Sequence, residues 1–186
     1  MRTNTARWSV AAVLVMAAGL SFSRDSFAYC QLSSQFWWEQ NAPITIPVYL
    51  NVQMGNMCYP TGSAFCDGFN DVEPAVRVAI DEFNDTAGAN IRFSYGGSTS
   101  ILPGLPIAGA VHISPVAGLG SLGVGQSADT NGDLRADECR ISINSDLEWL
   151  AMDGIGPDGD LHHGLHGVLI HELGHCLGFA HTNQWA

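Results

Sequence analysis

The run His171-Glu172-Leu173-Gly174-His175-Cys176-Leu177-Gly178-Phe179-Ala180-His181 sets three imidazoles and one carboxyl at a spacing that suits a single metal ion. On a helix, four residues advance the chain by about 400° and about 6 Å, so His171 and His175 project from one face, one turn apart. Glu172 falls roughly 100° round, at the edge of that face. There it is badly placed to be a ligand beside the two histidines but well placed to hydrogen-bond a water at the metal and take its proton. His181 cannot belong to the same helix. A continued helix would carry it about 15 Å along the axis from His171, against a zinc–nitrogen bond of ~2.1 Å. The helix must therefore end between His175 and His181, and Gly178 is placed to end it, since glycine enters the left-handed conformation without steric cost. The first five residues alone would also suit a solvated or core-packed histidine-rich helix. The added glycine and third histidine favour a zinc site.

This stretch resembles the HExxHxxGxxH signature of the metzincin clan of zinc endopeptidases. Gly174 before His175, and Thr182 after His181, make it most similar to the matrixins. Phe179 resembles astacins, but those carry a glutamate where this chain has Thr182. The resemblance implies that His171, His175 and His181 bind zinc, that Glu172 is the general base, and that Gly178 turns the chain. It implies an α+β fold, the metzincin-like (zincin) N-terminal subdomain, in which a twisted mixed β-sheet carries one long helix and one active-site helix. Metzincins place a methionine-containing turn beneath the zinc, downstream of the third histidine, and no methionine follows Met152 here. Residues 29–186 are accordingly expected to be a catalytic domain cut short after the third ligand. The competing expectation is a non-catalytic, zinc-binding exported module that lacks a complete cleft.

The elements that must position these residues can be traced upstream. Ile44 to Val52 alternates apolar residues in a β-rich run, where Pro47 is tolerable only at an edge or a bulge. Asp71 can cap a helix with Pro74 in its first turn, and Val72, Val76, Ala79, Ile80 and Phe83 repeat at helical spacing up to Gly88. Strands are expected at Ile91 to Tyr95, Ala110 to Val116, Leu122 to Gln126 and Cys139 to Asn144. By the resemblance, Leu122, Gly123, Val124, Gly125 and Gln126 form the edge strand that pairs with an extended polypeptide substrate. An unpaired edge does offer main-chain donors and acceptors to any peptide; a glycine-rich connection with no binding role is the alternative.

Two further clusters carry possible ligands. Asp129, Asn131, Asp133 and Asp137 place oxygen side chains at alternate positions, as a loop wrapping calcium would. The loop is not an EF-hand, because Leu134 stands where glycine is needed and Arg140 where a bidentate acid is needed. A calcium site and a solvated acidic turn both fit. Asp158, Asp160, His162, His163 and His166 precede the zinc motif. His166 lies about 140° from the face of His171 and is not expected to share its ion. The two aspartates suit a helix N-terminus, or the cluster is a second metal site.

Composition sets the compartment. Arg2 and Arg7 precede an apolar stretch from Trp8 to Leu20 and a polar region ending in Ser26-Phe27-Ala28, which reads as a secretory signal peptide over residues 1–28. Its apolar run of about thirteen residues is too short to span a bilayer. Losing Arg2, Arg7, Arg24 and Asp25 from seven basic and eighteen acidic residues leaves four and seventeen, a net charge of −13, and the chain contains no lysine. That balance excludes nucleic acid and anionic membrane as expected partners and suits a soluble monomer, extracellular or periplasmic. The remaining 158 residues suffice for one domain. Five cysteines in an exported chain point to two disulfides and one free thiol. Cys58 with Cys66 across a glycine-containing loop, and Cys30 with Cys139, are the expected pairs, leaving Cys176 as a buried thiol.

Overall fold

The computed structural model describes residues 29–31, 44–56, 69–87, 91–133, 136–147, 149–150, 154–155 and 161–181. The expected signal peptide, the expected Cys58–Cys66 pair, Asp158 and Asp160 lie outside the described residues, and Cys30 and His162 are described as backbone alone.

A five-stranded sheet forms the centre of an α+β fold. Its strands are β2 (Ile44–Asn51), β3 (Ile91–Thr99), β4 (Val111–Val116), β5 (Gly123–Ala128) and β6 (Glu138–Asn144), in the order β3-β2-β4-β6-β5. Four of them run parallel, and β5 closes one edge antiparallel to β6. Helix α1 (Phe69–Ala87) connects β2 to its parallel neighbour β3. Parallel neighbours need such a crossover because a tight turn cannot reverse the chain twice. Helix α2 (Leu165–Cys176) follows three short strands, β7 (Trp149–Leu150), β8 (Gly154–Ile155) and β9 (Leu161–Gly164), and gives way to β10 (Phe179–His181). Strand β10 pairs antiparallel with β1 (Tyr29–Gln31), Tyr29 facing His181. No helix among the described residues is long and apolar enough to cross a membrane.

The period of each element explains what it buries. Ile46, Val48 and Leu50 alternate along β2, as do Cys139, Ile141 and Ile143 along β6, and they turn one sheet face toward Val72, Val76, Ala79 and Ile80 of α1 and Leu165, Leu169 and Leu173 of α2. This is one continuous core roofed by both helices. The other face carries polar side chains that hold the 100–109 segment: Asn51 Nδ2 donates to the Ile101 carbonyl at 2.5 Å, and Ser114 Oγ accepts from the Gly104 N–H at 2.9 Å.

Several expectations are adjusted by these elements. Helix α1 begins two residues before Asp71, which stands inside it rather than at its cap. Strand β3 continues past Tyr95 to Thr99. Pro47 stands in a strand with neighbours on both sides, yet β4 begins pairing only at Val48, and a bulge separates Val48 from Tyr49. No ladder bond toward β4 is asked of the proline, so an interior strand accommodates it.

The cysteine pairing is a correction. Cys139 is bonded to Cys176, with Cα atoms 5.5 Å apart, so the expected Cys30–Cys139 bridge does not form and Cys176 is not a free thiol. Both residues are 0 % exposed. The reason lies in their faces. Cys139 shares the inward side of β6 with Ile141, and Cys176 shares the core face of α2 with Leu169 and Leu173, so the two sulfurs meet where helix crosses strand.

Candidate metal centre

Helix α2 brings His171 and His175 to one side, and its end delivers the third imidazole. After Cys176 the Leu177 N–H donates to the Gly174 carbonyl and the Gly178 N–H to the His175 carbonyl, at 3.1 and 2.9 Å. Gly178 adopts φ 83°, left-handed backbone in which a side chain would be strained, and the chain turns out of the helix into β10. The three Nε2 atoms then converge, with separations of 2.7 Å for His171–His181, 3.1 Å for His171–His175 and 3.2 Å for His175–His181. Tetrahedral ligands ~2.1 Å from a zinc ion stand about 3.4 Å apart, so the triangle fits one such ion after a small expansion. The rings are not stacked: their centroids stand 4.7–4.8 Å apart and the planes are mutually inclined, so they meet at their nitrogen edges. Among the described residues this is the group of side chains that could hold a metal ion.

The nitrogen chemistry agrees. His175 Nδ1 donates to the Phe179 carbonyl at 2.6 Å, which orients the ring so that Nε2 is aimed at the other two. Burial, with the neighbouring His175 and His181, pulls the pKa of His171 down to about 4, so its imidazole is neutral and able to ligate through most of the physiological range.

Glu172 borders the same space. Only 4 % of it is exposed, and burial raises its pKa, opposed by His175 and by a hydrogen bond from the edge strand. That bond runs from the Gly125 N–H to Glu172 Oε2, at 2.6 Å. Such closeness needs glycine, because a Cβ at Gly125 would lie 2.6 Å from the Glu172 carbonyl oxygen and 3.0 Å from His175 Cβ.

Together these groups line a cleft of about 620 Å³. Leu122 and, from the edge strand, Gly123, Val124 and Gly125 form one wall, and Gly164, Gly167 and Val168 at the start of α2 form the other, beside the three histidines and Glu172. Of the five edge-strand residues singled out in the sequence, Gln126 does not line the cleft; its Oε1 accepts from Arg140 Nη2 at 3.5 Å instead. His163, grouped in the sequence with a possible second metal site, instead lines the cleft and packs on Trp149 with ring centroids 6.0 Å apart. Gly164 next to it and Gly167 four residues on leave the wall open there.

The acidic loop is arranged otherwise. Asp129 Oδ1 accepts from the Gly132 N–H at 2.6 Å, Asn131 Oδ1 from the Asp133 N–H at 2.9 Å, and Asp137 from the Thr130 N–H and hydroxyl at 3.0 and 2.6 Å. The Thr130 bonds, its hydroxyl first, hold the Asp137 carboxyl below its ordinary pKa. In this arrangement these oxygens serve the turns of their own loop. His166 takes no part in the metal centre: its Nε2 lies 3.1 Å from Glu82 Oε2 of α1.

No family model matches this chain, and no curated protein matches it.

Proposed function

We propose that the chain is an exported zinc-dependent endopeptidase, a metzincin most like the matrixins. The observation that carries the reading is the meeting of three imidazole nitrogens within 3.2 Å of one another, in a cleft that also holds one buried carboxylate and an edge strand of the central sheet. His171, His175 and His181 would hold the ion. When bound there, zinc supplies Lewis acidity, bringing the pKa of water toward neutrality and polarising a peptide carbonyl. Glu172 accepts the proton of the attacking water and passes it to the leaving amine. Its raised pKa suits a group that must both take and return a proton near neutral pH. Strand β5 offers outward main-chain groups that align a peptide in extended form, which makes binding largely independent of side-chain identity. Leu122, Val124 and Val168 give the cleft an apolar wall against which a peptide's side chains would pack.

The deciding experiment separates metal from base. Glu172→Ala should keep about one zinc per chain while hydrolysis of an unfolded protein substrate falls by about 10²–10⁴-fold. A chain that binds zinc and hydrolyses nothing even as wild type would instead be the non-catalytic module.

A further inference from the structure

Strand β5 is an edge of the five-stranded sheet, and an antiparallel ladder alternates the residues that turn their main-chain groups toward the neighbour. Leu122 accepts from the Asn144 N–H, which makes Leu122, Val124 and Gln126 the residues bonded to β6. Gly123 and Gly125 therefore direct their N–H and C=O groups off the edge. A peptide added to this edge would take those groups as partners. The Gly125 N–H, however, already donates to Glu172 Oε2 at 2.6 Å. One backbone hydrogen thus has two claimants, the carboxylate and an incoming carbonyl, within a single cleft. The contact is built into the packing: a Cβ at Gly125 would stand 3.2 Å from Oε2, and a Cβ at Gly123 would stand 3.0 Å from Oε1.

Resting on the peptidase reading, we propose that the Gly125 N–H is a latch that holds the Glu172 carboxylate against the edge strand, and that an extended peptide releases it by bringing its own carbonyl to the same N–H. The carboxylate is parked while the cleft is empty and becomes mobile when a main chain is aligned along β5. The peptide's bond to Gly125 replaces the one it breaks, so part of the affinity of the edge is spent on freeing the base. A carboxylate merely supported by Gly125 would have no such competition with the peptide.

The two cases differ in binding rather than in rate. The probe is an acetylated, amidated hexapeptide of alternating alanine and leucine, together with a panel in which each carbonyl in turn is replaced by methylene. Affinity for the zinc-loaded chain is read by stopped-flow anisotropy before turnover. The intact peptide should bind Glu172→Ala about fivefold more tightly than wild type, the scale of one exchanged hydrogen bond. For the one panel member that lacks the competing carbonyl, the two proteins should bind alike. Glu172→Gln, a weaker acceptor of the same volume, should shift affinity in the same direction by less, and it serves if the alanine variant does not fold. Equal tightening for every panel member would be a general effect of removing a negative charge and would overturn the latch, as would no tightening at all. If wild type binds none of the peptides, the peptidase reading itself fails and the latch with it.

Discussion

The histidine motif and the acidic loop both offer ligands at regular spacing in the sequence, and the structure treats them in opposite ways. Along α2 and β10 the three Nε2 atoms converge to within 3.2 Å, and the Phe179 carbonyl takes up Nδ1 of His175. Between Asp129 and Asp137, side-chain oxygens of Asp129, Asn131 and Asp137 accept from backbone N–H groups three, two and seven residues away. The difference is one of chain stiffness. A helix fixes the direction of each side chain and already satisfies its own backbone, so its ligands remain available. A loop leaves backbone donors unpaired, and short aspartate and asparagine side chains are the acceptors nearest to them.

The largest test of this contrast is at the histidines. His171→Ala or His175→Ala should lower zinc occupancy from about one per chain to near zero in a chelator-competition assay, because a three-ligand site has none to spare. Near-full occupancy in both variants would break the comparison at its stronger end.

Next in size is the support beneath that site. The disulfide spans 37 residues of sequence and ties the last residue of α2 to the central sheet. On a chain-entropy account, closing a loop of that length contributes about 4 kcal/mol. Cys139→Ala with Cys176→Ala should therefore lower unfolding free energy by a few kcal/mol in urea titration and should also weaken zinc binding, since His175 precedes the bridge by one residue. Unchanged zinc affinity at lowered stability would show that the helix alone holds the ligand pair.

A third test is acid. His112 is 0 % exposed, its Nδ1 donates to the Leu105 carbonyl at 2.5 Å, and its buried Nε2 has no hydrogen-bond partner among the described residues. Burial lowers its pKa from the ordinary 6.5. The unfolded chain then takes up the proton first, so stability is complete above pH 6.5 and declines as pH falls below it. His112→Gln should flatten that decline in thermal melts between pH 7 and 5, and an unchanged slope would assign the loss to other groups.

The smallest expected effect is at the acidic loop, where 1 mM calcium should move the melting temperature by less than about 1 °C, because a ligand stabilises only by what it binds in the folded state. A clear rise that vanishes in Asp129→Ala with Asp133→Ala would show that the carboxylates leave their turns for an ion and would erase the contrast.

These outcomes bear on what the sequence could tell. Strand alternation at Ile46, Val48 and Leu50, and helical spacing at Val72, Val76 and Ile80, are local periods, and those elements form within a few residues of where the spacing places them. The break at Gly178 was equally local, since one helix could not serve His171 and His181 together. The bridge between Cys139 and Cys176 was not, although each cysteine lies on the apolar period of its own element. Choosing between partners requires knowing which helix crosses which strand, a fact of topology that no window of sequence contains. The contact of Gly125 with Glu172 escaped for the same reason, being a meeting of edge and helix 47 positions apart. The pairing of β1 with β10 involves three residues on each side, too few for any period to register.

That last pairing bears on the order in which the chain assembles. His171 and His175 become neighbours as soon as one turn of α2 forms, an event of about a microsecond or less. His181 belongs to a strand whose partner is β1, with nearly the whole sheet lying between them in sequence. Closing so long a loop costs entropy that only prior consolidation of the core repays. On the zinc reading, the complete donor set would be a late product of folding, and a two-coordinate complex on the nascent helix would be the most the ion could find before then. Metal added to a refolding chain would be captured tightly only after β1 and β10 have met, which makes the binding of the ion a clock for the final step of the fold.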